Sequence, residues 1–167
     1  MPGSPTDGEG ATLVVVPATD YLWFVDRALD EMCAIVEDLG DELVNRRPPF
    51  RDVNSAYVIL THCLGVMEYW GGGTVAERDF SRDRASEFVA HGGVAELAER
   101  AGAARRRLGA DVAGHDSAAA PANVLPDPDD PLPYDQRKGA VLVHILEELY
   151  QHLGQMELTR DLLVASS

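Results

Sequence analysis

Three side chains in this sequence are of types that bind metal ions, and two of them are spaced to act together. Glu148 and His152 are four residues apart near the end of the chain. Four residues of an α-helix advance about 400°, so both would project from one face, about one turn apart. His62 lies within an apolar stretch, where an unpaired imidazole is unfavourable. Two imidazole nitrogens and one carboxylate oxygen can bind a divalent cation and leave a position for water or substrate.

Spacing alone also allows simpler interpretations of these residues. A histidine on an apolar helix face is often hydrogen bonded within the core, and a glutamate–histidine pair four residues apart is often a surface ion pair. His144, one turn before Glu148, would support such a site more readily than bind the ion. Zinc is the first expectation for the ion, and nickel or iron would accept the same donors.

Other reactive side chains have structural interpretations. Cys33 and Cys63 both lie in apolar helical patterns, which predicts buried, reduced thiols. Cys63 would point about 100° away from its neighbour His62, so a cysteine–histidine dyad is not expected. Glu68 is predicted to pair with an arginine. The segment from Arg82 to Phe88 is predicted to be a connector held by salt bridges.

The spacing of apolar residues predicts four helices that would position these side chains. The first is expected over 20–39, with Thr19 or Asp20 as its N-cap and Gly40 as its stop. The others are expected from a cap at Asn54 or Ser55 to the glycines at 71–73, over 93–112, and over 136–164. No strand pattern competes, and a long loop is expected over 116–133. The pattern therefore predicts an all-α four-helix bundle with long connections between helices.

Composition limits the classes of function. The chain has 167 residues, 46% of them hydrophobic, which suits one domain over 17–167 after a disordered or extended segment over 1–16. No apolar run approaches the roughly 18 residues of a membrane span, and the first ten residues do not resemble a signal peptide. The net charge of −14 disfavours binding to nucleic acids and anionic membranes. A cytoplasmic protein is expected.

The order of three longer motifs resembles a known family. The motifs are NSAYVILTHCLGVMEYW, RDFSRDRASEF and HILEELYQHLGQMELTRDLL. Together they resemble the DinB-like superfamily, in the branch that includes the metal-binding domain of mycothiol-dependent maleylpyruvate isomerase. The similarity extends from about residue 20 to residue 164.

The resemblance implies a four-helix bundle, often dimeric, with a three-residue site for a divalent metal. The family's helix-two histidine falls on His62, and its Glu-x-x-x-His motif falls on Glu148 and His152. Gln155 and Arg160 match the family's tail and are expected to be structural or to lie at the rim of the site.

The resemblance also implies a class of reaction. Relatives include transferases in which the metal activates a small-molecule thiol such as mycothiol toward an electrophilic substrate. The isomerase's additional C-terminal domain has no counterpart here, which argues against isomerase activity itself. Two alternatives stay open: a metal-dependent hydrolase on the same scaffold, and a non-enzymatic dimer with a structural or vestigial metal site.

Overall fold

The chain folds into a helical bundle. The computed structural model describes residues 14–123 and 136–165. Its helices are α1 (Ala18–Leu43), α2 (Ala56–Val66), a π-helix (Met67–Val75) that continues α2, the single-turn α3 (Arg84–Glu87), α4 (Val94–Val112) and α5 (Lys138–Val164). No strand occurs in the described ranges. The predicted all-α four-helix bundle is confirmed, with α3 as a short addition.

The four long elements form a ring around one hydrophobic core. α1 packs mainly against α4 and α5, and α2 with its π-helical extension also packs mainly against α4 and α5. Consecutive helices α1 and α2 therefore lie diagonally across the bundle, which explains why their connection is long. The core includes Leu29 and Met32 of α1, Leu60 of α2, Leu108 of α4 and Ile145 of α5. These positions are spaced by helical periodicity, so burial follows the apolar stripe of each helix.

The second helix differs from its prediction at its C-terminal end. Ser55 is its N-cap and its hydroxyl accepts a hydrogen bond from the Val58 amide at 3.3 Å, as predicted. The three glycines at 71–73 do not end the helix, because it continues as a π-helix to Val75. A Cβ at Gly71 would lie 2.4 Å from Leu108, and one at Gly72 would lie 2.1 Å from the Arg78 guanidinium. These two glycines allow close packing, and the prediction that they stop the helix was wrong.

The first helix differs from its prediction at the N-terminus and breaks at the predicted stop. Its N-cap is Pro17, without a side-chain hydrogen bond, so Thr19 and Asp20 lie inside the helix. Gly40 has a φ of 61° and kinks the chain, yet a further turn follows to Leu43. This conformation is not helical, so the regular helix is interrupted at the predicted stop, where glycine adopts a positive φ at little cost, and the residues up to Leu43 form a separate turn.

Two predictions fall partly on residues outside the described ranges. The disordered or extended segment predicted over 1–16 falls mostly on residues outside the described ranges, and Val14–Val16 are non-helical and exposed. Part of the loop predicted over 116–133 also falls outside them, whereas 116–123 consists of turns and bends. No helix in the described part of the chain is long and apolar enough to cross a membrane.

Candidate metal centre

Three predicted ligands converge between α2 and α5. His62, Glu148 and His152 each offer one donor atom, and these atoms all lie within 4.8 Å of one another. A single Glu148 oxygen, Oε2, lies 3.2 Å from Nε2 of His152 and 3.7 Å from Nε2 of His62. The two imidazole rings meet edge to face with centroids 4.9 Å apart. The helical spacing of Glu148 and His152 accounts for half of this arrangement, and the packing of α2 on α5 supplies the rest.

The Nδ1 side of His62 contacts an arginine–glutamate pair that lies outside α2. Its Nδ1 atom lies 2.8 Å from Oε2 of Glu87. Arg82 binds the same carboxylate with two donors, Nε to Oε1 at 2.7 Å and Nη2 to Oε2 at 2.9 Å. The turn that presents Glu87 is α3, which Asp83 caps by accepting a hydrogen bond from the Ser86 amide. The predicted salt-bridged connector is present, and it also contacts a candidate ligand.

His152 has a corresponding contact on its own helix. Its Nδ1 atom lies 2.8 Å from the amide oxygen of Gln155, three residues later. With Nδ1 as the donor, Nε2 is the atom that faces Glu148. The hydrogen bond with His152, together with the facing His62 ring, lowers the pKa of Glu148 well below its ordinary value. The hydrogen bond with Glu148 in turn raises the pKa of His152. Both shifts show a site that favours positive charge beside the Glu148 carboxylate.

The donor set fits a divalent cation of the zinc class. Both histidines bond through Nδ1 to oxygen acceptors, so loss of the Nε2 protons would leave two nitrogen lone pairs and one carboxylate oxygen facing a common point. Two donors on one tetrahedral ion, each about 2.0–2.2 Å from it, lie about 3.4 Å apart. The two separations that involve Glu148, 3.2 and 3.7 Å, bracket that value, and the two imidazole donors lie within 4.8 Å of each other. His62, Glu148 and His152 are therefore the residues that could hold such an ion.

His144 lies beside this group and outside it. Its Nε2 atom is 3.8 Å from Oε1 of Glu148, and its Nδ1 atom is 3.2 Å from Glu147. Its ring also meets the Trp70 indole edge to face at 5.2 Å. This position agrees with the expectation that His144 supports the site from the side.

A cavity of about 970 Å³ opens onto the three donors. Aromatic and aliphatic side chains form much of its wall, including Tyr69 and Trp70 of the π-helix and Phe88 after α3. The exposed Arg84 and Gln151 lie at its margin. A π-helix is wider than an α-helix and often occurs at functional sites, and here it carries two ring side chains into the cavity wall. The cavity is large enough to admit a small organic molecule beside the donors.

The remaining reactive residues take structural roles. Cys63 is fully buried, and burial raises the pKa of its thiol. Cys33 is half-buried, slightly more exposed than predicted, and burial raises its pKa too. Because Cys63 faces the core, the exclusion of a cysteine–histidine dyad agrees with the structure. Glu68 pairs with Arg78 and Arg107, as predicted.

Sequence reasoning missed the direct contact of Glu87 with His62 and the bond from His152 to Gln155. Gln155 is three residues after His152, so helical spacing offered a signal for that pair. Glu87 is 25 residues from His62 and reaches it through the one-turn helix α3. The capping sequence from Asp83 to Ser86 could have predicted that helix, although it could not have predicted where its last side chain points.

Comparisons with known proteins agree with this architecture. A family model described as mycothiol-S-transferase matches residues 21–165. The crystal structure of a conserved protein from Enterococcus faecalis superposes with a TM-score of 0.65 and 13% sequence identity, covering 91% of this chain and 99% of the other. At that identity the likeness supports the fold alone. No curated protein matches the chain.

Proposed function

This chain belongs to the mycothiol-S-transferase family of DinB-like proteins, and on that premise we propose that it is a divalent-metal-dependent thiol S-transferase. The observation that carries the proposal is the convergence of His62, Glu148 and His152 at the wall of a cavity of about 970 Å³. A structural metal site would have a closed donor set, whereas these three donors face space that a substrate can enter.

The reaction joins the sulfur of a small thiol to an electrophilic carbon: the S–H bond breaks and its proton is released, the carbon–sulfur bond forms, and the bond from that carbon to its leaving group breaks. The leaving group departs with the electron pair of that bond. A divalent ion held by the three residues would lower the pKa of that thiol and keep it as the thiolate near neutral pH. Tyr69, Trp70 and Phe88 provide a largely apolar wall against which the electrophile can lie. The chain's own cysteines are poor alternatives as the nucleophile, because Cys63 is buried and the pKa values of both thiols are raised.

Mycothiol is the thiol that the family name suggests, and zinc is the ion that the donor set favours first. The test is loss of free thiol with a panel of electrophiles, comparing wild type with Glu148→Gln at fixed zinc. The proposal expects thiol loss that depends on added ion and is abolished in the variant. Equal rates in both proteins would contradict it.

The same assay distinguishes the S-transferase from a metal-dependent hydrolase and from a non-enzymatic protein. Turnover of esters or amides without any thiol would favour a metal-dependent hydrolase. A non-enzymatic protein would bind the ion and turn over neither class. The open cavity beside the donors supports the enzymatic proposals over this last one.

A homodimer is proposed through the outer face of α1 and α5. Trp23 and Phe24 are 56% and 47% exposed and pack edge to face against each other. Val143, 65% exposed, and Tyr150, which donates a hydrogen bond to the Phe24 carbonyl, lie seven residues apart on α5. Covering this face by a second copy would remove large apolar area from water. Sedimentation should give a dimer for wild type and a monomer for Trp23→Glu, and a wild-type monomer would contradict the proposal.

A further inference from the structure

We infer that Glu87 is the positioning residue of this site. Clamped by Arg82 and seated against Gly65, it fixes which nitrogen of His62 carries the proton and thereby sets the affinity of the site for its ion. The inference rests on the proposed metal site, and its central step concerns His62 in the metal-free protein.

The contact between Glu87 and His62 determines the tautomer. An ionised carboxylate has no proton to donate, so a separation of 2.8 Å from Oε2 requires the proton on Nδ1 of His62. Nη2 of Arg82 also lies 3.3 Å from Nδ1 of His62. With the proton on Nδ1, both of these nitrogens are donors and cannot hydrogen bond to each other, so the shorter contact with Glu87 sets the position of the proton. In the neutral ring Nε2 of His62 then keeps its lone pair, and this is the atom that faces Glu148.

The clamp keeps the Glu87 carboxylate in one place. Arg82 engages both of its oxygens, and two parallel N–H···O bonds fix orientation better than a single bond. The side chains are largely buried, 8% exposed for Glu87 and 12% for Arg82. The guanidinium also lies 5.8 Å from the centre of the Tyr69 ring, which joins the clamp to the cavity wall. Moving a buried carboxylate away from its paired cation would break the ion pair, which is energetically costly.

Gly65 creates the space that this carboxylate occupies. It lies three residues after His62, on nearly the same face of α2. A Cβ at Gly65 would lie 2.2 Å from Oε1 of Glu87 and 3.3 Å from Nε of Arg82. Glycine is otherwise unfavourable inside a helix. Its presence here is explained by the approach of Glu87 to His62.

A carboxylate behind a metal-binding imidazole has a known physical effect. It orients the ring and makes the facing nitrogen a stronger electron-pair donor, and removing it typically weakens metal binding by about 10- to 100-fold. Glu147, which contacts Nδ1 of His144 at 3.2 Å, offers a natural comparison. That carboxylate is 67% exposed and serves a histidine outside the three-donor group.

The test combines histidine nitrogen NMR on metal-free protein with zinc affinity from chelator competition. The variants are Glu87→Gln and Gly65→Ala, the second of which displaces the carboxylate without removing a charge. Glu147→Gln and Gly109→Ala are matched controls, because Gly109 is a helical glycine whose Cβ would meet nothing within 4 Å.

We expect His62 to carry its proton on Nδ1 in wild type and in both controls. In Glu87→Gln and Gly65→Ala it should become a mixture of tautomers, with zinc affinity lower by about 10- to 100-fold. A wild-type His62 protonated on Nε2, or unchanged tautomer and affinity in both variants, would overturn the inference. If wild type bound no zinc, the proposed function would fail, and the NMR result would still decide the role of Glu87. If Glu87→Gln did not fold, Gly65→Ala and the wild-type tautomer would decide it.

Discussion

Two polar clusters lie along the continuous helix formed by α2 and the π-helix, and they differ in how their charges are matched. The metal-site cluster consists of His62, Arg82, Glu87, Glu148 and His152. The arginine cluster consists of Glu68, Arg78, Arg107 and Asp111. Each contains an arginine that binds one carboxylate with two donors: Arg82 on Glu87, and Arg78 on Asp111 at 2.8 and 2.9 Å.

In the arginine cluster every carboxylate meets a guanidinium. Arg78 also binds Glu68 at 2.9 Å, and Arg107 pairs with the other Glu68 oxygen. The hydrogen bonds to Asp111 and then Glu68 raise the pKa of Arg78 above its ordinary value. Two cations and two anions leave no formal charge and no donor set turned toward a common point. This cluster ties the π-helix to α4.

In the metal-site cluster one carboxylate lacks a guanidinium. Arg82 balances Glu87, whereas the ion-pair partners of Glu148 among the described residues are all imidazoles. Both imidazoles direct their Nδ1 atoms to other acceptors. The remaining formal charge of Glu148 is therefore available to a cation. A cluster with matched charges therefore stabilises the fold, whereas a cluster with one carboxylate beyond its guanidinium and two facing imidazoles is suited to bind an ion.

The largest expected effect is loss of metal affinity in His152→Ala. Removing one of three donors should weaken zinc binding by more than about 100-fold, beyond the loss typical of a supporting contact. His144→Ala, one turn earlier on α5, is the matched control and should change affinity by less than about tenfold. Chelator competition measures both constants. An equal loss in the two variants would erase the distinction between the three donors and their neighbour.

The next effect is stabilisation of wild type by the ion. Zinc at about 100 times its dissociation constant should raise the free energy of unfolding by about 2.7 kcal/mol, provided that it binds only the folded state. Urea denaturation with and without zinc measures this, and His152→Ala at the same zinc concentration should show almost none of the increase. A comparable increase in that variant would place the binding elsewhere on the chain.

A substitution in the arginine cluster should lower stability and leave zinc affinity unchanged. Asp111→Ala removes a carboxylate that is 7% exposed and leaves Arg78 short of its partner. Breaking a fully buried pair costs about 3–5 kcal/mol, and the partial exposure of Arg78 reduces the expected loss of stability to about 2 kcal/mol. Zinc affinity should be unchanged.

Asp161→Ala provides the control for this change. Its pair with Arg160 lies at the surface, so the loss of stability should be much smaller than in Asp111→Ala. Weaker zinc binding in Asp111→Ala would mean that the two clusters are energetically coupled.

The smallest expected effects are opposite changes in stability on substituting two glycines. Gly72→Ala would push the Arg78 guanidinium from its carboxylates, so we expect a loss of about 1 kcal/mol even after the gain in helix propensity. Gly109→Ala in α4 meets open space and should gain up to about 1 kcal/mol. Thermal denaturation distinguishes the two signs. A stabilised Gly72→Ala would show that Arg78 repositions freely.

The sequence predicts those parts of the molecule that depend on local periodicity. The pairing of Glu148 with His152 follows from helical spacing, and the apolar surroundings of His62 indicate a residue that needs a partner. The cap at Ser55 follows from the same local chemistry. Metal binding by these residues stays a prediction that the experiments above address.

The features that sequence reasoning missed depend on contacts between distant segments. Gly71 and Gly72 look like a helix stop, because glycine usually ends helices, yet Leu108 and Arg78 occupy the space where side chains would be. Glu87 looks like part of a surface ion pair until the packing of α3 on α2 brings it to His62. Neither contact leaves a periodic signal in the sequence.

Metal binding by His62, Glu148 and His152 is tested most directly by elemental analysis of protein purified without a histidine tag or added metal. Wild type and Glu148→Gln should be compared after identical purification. We expect close to one divalent ion per chain in wild type and very little in the variant, because the Glu148 carboxylate attracts the cation. Equal metal content in the two proteins, or none in wild type even after dialysis against zinc, would contradict it.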